Sequence, residues 1–330
     1  MRAAARPEHS GHVMTARAAD GIDAVHLEEI ERRAVEFARK AGEILLDHFR
    51  KPLEVEYKSH NRRDPVTQAD RACEDWLRAA IADAFPDHGI IGEENAPSDH
   101  TAADYVWVLD PLDGTTNFLN GLPVFASSIG VLYRGRPAAG AIFVPGAGGG
   151  AVLHARQGGG AFQDGAPVSV STNAEPEQGR LTGMPSYYWR MWGFKDGLRM
   201  RLGELRSLGS IAYEMALVAR GGMQLCLFAQ PKIWDVAAGA LLVSEAGGRV
   251  LERRGRRSAW APFTVFGPDG VSLEELHAWR ASIMTGNADV ASHAGTRISP
   301  RARPLFRFRR WLAERRGAAQ GPGNQSTRRG

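Results

Sequence analysis

The chain predicts an α+β fold in which helices and sheets lie in separate stacked layers, and three observations lead there. Two stretches near the start repeat apolar residues every three or four positions. A middle stretch breaks into short alternating segments between glycine and proline turns, which is the texture of an antiparallel meander. Two later helical stretches, each closed by glycines, flank a short apolar strand. Helices and strands in separate runs, rather than a strict βαβ series, suggest layered packing.

Taken in order, Ile30, Ala34, Phe37, Ala41, Ile44 and Leu45 follow Leu27 at helical spacing, and Pro52 ends that helix. "LEVEYKS" alternates like a strand. "DPVTQAD" opens a second helix carrying Ala72, Cys73, Trp76, Leu77, Ala80 and Ile81 on one face, closed by Pro86. "GIIGEE" and "YVWVLD" are short strands that stop where acids begin. After Phe118 the meander runs through "FASSIGVLYRG", "AAGAIFVPG", "AVLHARQGGGAFQDG" and "VSVST". "LGSIAYEMALVARGG" is then a helix, "MQLCLFA" a strand, and "DVAAGALLVSEAGG" a helix with Asp235 in N-cap position. "RVLE", "FTVFG" and "SIMTG" supply the remaining strands.

At 330 residues and 43% hydrophobic content, the chain has room for a sizeable core. No stretch approaches the roughly 18 continuous apolar residues of a spanning helix. Residues 1–24 are too broken by charge for a signal segment, so a disordered leader on a cytoplasmic protein is expected. Cys73 and Cys226 have no partner at ligand spacing and read as buried free thiols. The net charge of +4 conceals an asymmetry, because residues 297–330 carry ten arginines and one acid, Glu314; removing that +9 leaves the body at −5. An acidic body is unlike a nucleic-acid binder. The tail, set off at 295–330, reads either as a flexible solvated extension or as a basic amphipathic helix for an anionic membrane or nucleic acid.

Acids stand at the ends of four elements: Asp64 and Asp70 in "DPVTQAD", Glu93 and Glu94 in "GEE", Asp110 and Asp113 in "DPLDGTT", and Asp235 in "WDVAAG". Singly, Asp64 is a turn residue, Asp70 a first-turn acid and Asp235 a cap. Together they are what a hard divalent cation needs, and magnesium prefers oxygen ligands in octahedral array. Pro111 stiffens the turn so that Asp110 and Asp113 address one point, with the Leu112 carbonyl beside them. Gly114 and Thr115 then begin a helical turn whose N–H groups can seat a phosphate. Two ions about 3.5–4 Å apart, sharing a carboxylate, form the clamp used in phosphoryl hydrolysis.

"DPVTQAD", "GEE", "WVLDPLDGTTNF" and "WDVAAGALLVSEAGG", in this order, resemble the inositol monophosphatase family of lithium-sensitive, magnesium-dependent phosphatases, over residues 25 to about 290. The resemblance implies an αβαβα sandwich, a homodimer, Mg2+ as cofactor, and one catalytic domain over 25–294 with halves 25–170 and 171–294. It implies that Glu93, Asp110, the Leu112 carbonyl and Thr115 hold or orient a first metal and its water, and that Asp110, Asp113 and Asp235 hold a second. It further implies that Asp64 orients the Thr115 hydroxyl, that the Gly114 and Thr115 amides bind phosphate, and that Asp235 also contributes to the substrate site. The reaction implied is a two- or three-metal in-line attack by activated water, without a phosphoenzyme, on inositol 1-phosphate or a similar small phosphorylated alcohol.

The chain also departs from the family. A glutamate that contacts sugar hydroxyls in the inositol-phosphate enzymes is replaced by Phe228, which accepts no hydrogen bond, so the alcohol half of the substrate is left open. Thr116 stands where the adenosine 3′,5′-bisphosphate branch commonly has lysine; the fructose-1,6-bisphosphatase and histidinol-phosphate branches stay open. An aspartyl-phosphate route through "LDGTT" fails because Pro111 occupies the nucleophile's position, and no "GxxxxGK" loop occurs. A binding protein acting through its arginine tail is the non-enzyme alternative. Glu214 is expected as a solvated helix-face acid or a contact to an amino alcohol, and His154 as a surface residue.

Overall fold

Apolar periodicity and caps explain the first layer. Asp23 accepts from the Val25 N–H and caps helix α1, Ala24–His48, which buries Leu27, Ile30, Ala34, Phe37, Ala41 and Leu45 along one stripe. Thr67 caps α2, Gln68–Ala84, in a reciprocal capping box with Asp70. The protein is described from a computed structural model over residues 23–52, 55–57, 65–98, 103–255 and 257–301. The expected leader, apart from its last two residues, Asp64, and the tail beyond Arg301 lie outside the described residues.

α1 and α2 cover one face of a seven-stranded sheet. It comprises β1 Gly89–Gly92, β2 Tyr105–Asp113, β3 Ala126–Tyr133, β4 Arg136–Val144, β5 Ala151–Arg156, β6 Gly160–Gln163 and β7 Ala166–Pro167, in sequence order. Only β1 and β2 pair in parallel; the rest is a meander. The opposite face packs on two apolar helices, Ile211–Ala219 and Ile233–Glu245. Contact there is close: a Cβ on Gly130 would stand 2.7 Å from Ala237 Cβ. Beyond these helices lies a six-stranded sheet built from Leu181–Gly183, Glu204–Arg206, Met223–Phe228, Gly248–Arg253, Ala261–Pro262 and Ser282–Asn287. Its outer face is covered by the helix Ala288–Gly295 and by Trp192, Leu198 and Leu202. The layers therefore run helix, sheet, helix, sheet, helix, as the resemblance implied, with an apolar core in each gap.

Several expectations change. "VSVST" forms no strand; Val170 donates instead to the Ala246 carbonyl. "FTVFG" forms none either, because Phe263, Phe266 and Trp279 pack their rings together as a plug. The helix Ala288–Gly295 was not expected, although Asn287 caps it in the ordinary way. Ordered structure continues past residue 294, where Ile298–Pro300 pairs with Trp192–Phe194. His154 is no free surface residue: its Nδ1 lies 2.8 Å from Glu31 Oε1, tying β5 to α1.

Candidate active site

The β2 strand explains how Asp110 and Asp113 come to act together. Residues three apart on a regular strand point to opposite faces. Here Asp110 pairs with Ser128 and Asp113 with Ala126, so three steps on β2 match two on β3. That bulge absorbs one residue and returns both carboxylates to one side. Pro111, which has no N–H to donate, sits within it. The Leu112 N–H donates to Asp110 Oδ1 at 3.1 Å. Next, Gly114 turns the chain at φ 93°, where a Cβ would approach Ser210 Cβ and the Val124 carbonyl to 3.0 Å. The short helix Thr115–Leu119 follows.

Three other elements bring acids to this turn. Asp113 Oδ2 accepts from Ser210 Oγ at 2.7 Å and from the Ala212 N–H at 2.6 Å, at the start of the Ile211–Ala219 helix. Asp235 lies at the third position of its helix rather than at the cap, which is Lys232; its Oδ2 accepts from the Lys232 N–H at 2.8 Å. Glu93 follows β1, with Lys232 Nζ 3.8 Å from its Oε1. The carboxylate beside Thr115 is that of Asp70: Thr115 Oγ1 lies 3.4 Å from Asp70 Oδ1 and 3.0 Å from the Leu112 carbonyl. Asp64, given this place by resemblance, lies outside the described residues. Asp70 reaches Thr115 because the capping box fixes its other oxygen against Thr67, whose N–H donates at 2.8 Å and whose hydroxyl donates at 2.6 Å.

Supporting residues went unseen in the sequence. Glu74, fully buried, accepts from the Glu94 and Asn95 N–H groups at 2.8 and 3.1 Å and so holds the loop that carries Glu93. Gly92 makes room for it, since a Cβ there would fall on its carboxylate. The only signal was spacing, Glu74 being one helical turn after Asp70. Glu214 is buried rather than solvated and accepts from the Leu208 N–H at 2.8 Å, bracing the segment before Ser210. Phe228 is buried at the end of its strand and offers no polar contact.

Burial raises the pKa of each acid at this turn, and the neighbouring acids raise it further. Asp110 is pushed well above the usual carboxylate range by burial, then by Glu93, Asp113 and Asp235. Asp113 is pushed up to about 7 by burial, despite the bonds from Ser210 and Ala212. Asp235 reaches about 8, through burial and then the charges of Asp113 and Glu93. Asp70 reaches about 6, chiefly by burial. Among the described residues these side chains do not form a finished coordination cage. The donor set nevertheless suits a hard cation: it is all oxygen, its members repel one another, and each aspartate spends one oxygen on the protein's own donors.

A stability prediction follows from the sign of these shifts. The folded-state values of Asp113 and Asp235 exceed the unfolded value of about 3.9, so their protonated forms favour folding, and that contribution is lost as pH rises through 7 and 8. In EDTA, the melting temperature is expected to fall by a few degrees between pH 6.5 and 8.5, and magnesium to raise it more at pH 8.5. An equal magnesium shift at both pH values, read by differential scanning fluorimetry, would contradict this.

Comparison with known proteins agrees with the geometry. The sequence profile of the inositol monophosphatase family matches residues 26–286. The chain is 37% identical over 266 residues to the chloroplastic phosphatase IMPL1 of Arabidopsis thaliana, covering 77% of this chain and 70% of that one. It is 37% identical over 238 residues to the histidinol-phosphatase of Chlorobaculum parvum, covering 68% and 86%. The solved structure of the Thermotoga maritima IMPase aligns at a TM-score of 0.64 and 28% identity, covering 81% of this chain and 97% of that one. A profile match over most of the length, on a five-layer fold with acids gathered from four elements, means that the chain belongs to the inositol monophosphatase family of phosphomonoester hydrolases.

Proposed function

We propose that the protein is a magnesium-dependent phosphatase of small phosphorylated alcohols, in which water attacks phosphorus directly and no phosphoenzyme forms. The observation that supports this most is the gathering of Glu93, Asp110, Asp113 and Asp235, whose mutual repulsion adds to burial in raising the aspartate pKa values. Those four carboxylates and the Leu112 carbonyl would hold the cations. Bound magnesium supplies positive charge that acidifies water and screens the phosphoryl oxygens. Thr115, between the Leu112 carbonyl and Asp70, positions the attacking water through its hydroxyl. The Gly114 and Thr115 amides face the phosphate, in the turn that the left-handed Gly114 makes possible. Asp235 lies close enough to Asp113 and Glu93 to serve both cation and substrate.

Inositol 1-phosphate is the first substrate to test. Histidinol phosphate is the second reading, favoured by the Chlorobaculum parvum relative's name. A phosphate-release panel with these two, fructose 1,6-bisphosphate and adenosine 3′,5′-bisphosphate is expected to show magnesium-dependent turnover of at least one, with inositol 1-phosphate fastest. Lithium at roughly tens of millimolar is expected to inhibit by weak competition at a magnesium site. Release from none of the four, or full activity in that lithium range, would count against the reading. A homodimer is also proposed, to be read by light scattering after gel filtration. Among the described residues, no helix is long and apolar enough to cross a membrane.

A further inference from the structure

Beside the loop that leads to Asp235, the six-stranded sheet ends in a cleft of about 270 Å³. Arg190, Arg253, Arg280 and Arg301 line it, together with Gln230 and Ser282, and no carboxylate is among the described residues that do so. Arg253 closes its strand and is nine-tenths buried. Its guanidinium is held slightly less basic by that burial. Backbone carbonyls anchor two of the others: Arg301 Nη1 donates to Trp189 at 2.7 Å, and Arg280 Nη1 donates to His277 at 3.1 Å and Trp279 at 2.5 Å. Gathering four like charges costs free energy unless an anion is to be held. Arginine forks suit phosphate oxygens because they donate two parallel hydrogen bonds.

The cleft adjoins the acid cluster through one short loop. Gln230, in left-handed conformation at φ 55°, lines the cleft, and two residues later Lys232 extends its ammonium to within 3.8 Å of Glu93. Trp234 joins the two sides: Lys232 Nζ lies 4.9 Å from its ring centre and Arg280 Cζ 5.9 Å. We propose that this cleft binds a phosphate group distinct from the one hydrolysed, either the second phosphate of a bisphosphorylated substrate or that of a separate small effector. The proposal extends the phosphatase reading towards its substrate class, yet binding to the cleft is measurable without turnover, so either can fail alone.

The test titrates the full chain with pyrophosphate in EDTA, where the uncompensated acid cluster repels anions, by calorimetry. One saturable site is expected. It should weaken about tenfold or more, the worth of one charge-assisted hydrogen bond, in Arg253→Ala and in the double variant Arg190→Ala/Arg301→Ala. Asp113→Asn should bind as the wild type does. The double variant changes only rim side chains and keeps the test open should Arg253→Ala fail to fold. No saturable binding, equal binding in the double variant, or binding abolished only by Asp113→Asn would overturn the proposal. With magnesium, a raised KM for fructose 1,6-bisphosphate and an unchanged KM for inositol 1-phosphate in the double variant assign the group to the substrate. Both KM values unchanged, with pyrophosphate binding lost, assign it to an effector.

Discussion

Asp110→Asn is expected to lower kcat on the order of a thousandfold while leaving the fold intact. Asp110 is almost wholly buried, and the other acids of the site bear on it most directly: Glu93, Asp113, Asp235 and Asp70 all raise its pKa. Replacing its carboxylate removes one negative charge from the centre of the cation-binding set, and several kcal/mol of charge stabilisation is worth that many orders of magnitude. The amide oxygen of asparagine can still accept from the Leu112 N–H, so the bulge keeps its hydrogen bond. Less repulsion remains, and the melting temperature in EDTA should stay level or rise. Phosphate release and scanning fluorimetry measure the two halves separately. Turnover near the wild-type rate would show that this acid is not central.

The second large effect separates two acids of one motif. Asp70→Asn should reduce kcat about a hundredfold, the usual worth of a group that positions a proton-transfer partner. It should also cost about 1 kcal/mol of stability, because Asp70 Oδ2 accepts from both the N–H and the hydroxyl of Thr67. Asp64→Asn should leave kcat within a few-fold, since Thr115 is already met by Asp70 and the Leu112 carbonyl. The reverse ranking, in parallel steady-state assays, would restore the role implied for Asp64 by resemblance.

Much of the fold was legible because local rules and burial agree in it. The α1 stripe, the meander and the two apolar helices follow from periodicity, glycine turns and caps, and each found its place in the layers. Legibility failed where local preference and use diverge. Phe263 and Phe266 have strand propensity, yet their rings serve a plug against Trp279. Asp235 resembled a cap but lies one turn further in, where it ties down the Lys232 N–H. The acids of the site were visible as types and spacings, whereas their mutual facing depends on the bulge between Asp110 and Asp113, which requires knowledge of the partner strand. Asp70 and Glu74 were hidden for a related reason: acids on a helix surface look solvated until the loop they hold is seen.

The most direct test of the account is phosphate release by metal-stripped protein as magnesium is added back, using the fastest substrate of the panel. Release is expected to be negligible in EDTA and to rise with magnesium to a plateau, and the rise should vanish in Asp110→Asn. Undiminished hydrolysis in EDTA would contradict the claim that these acids work by gripping cations.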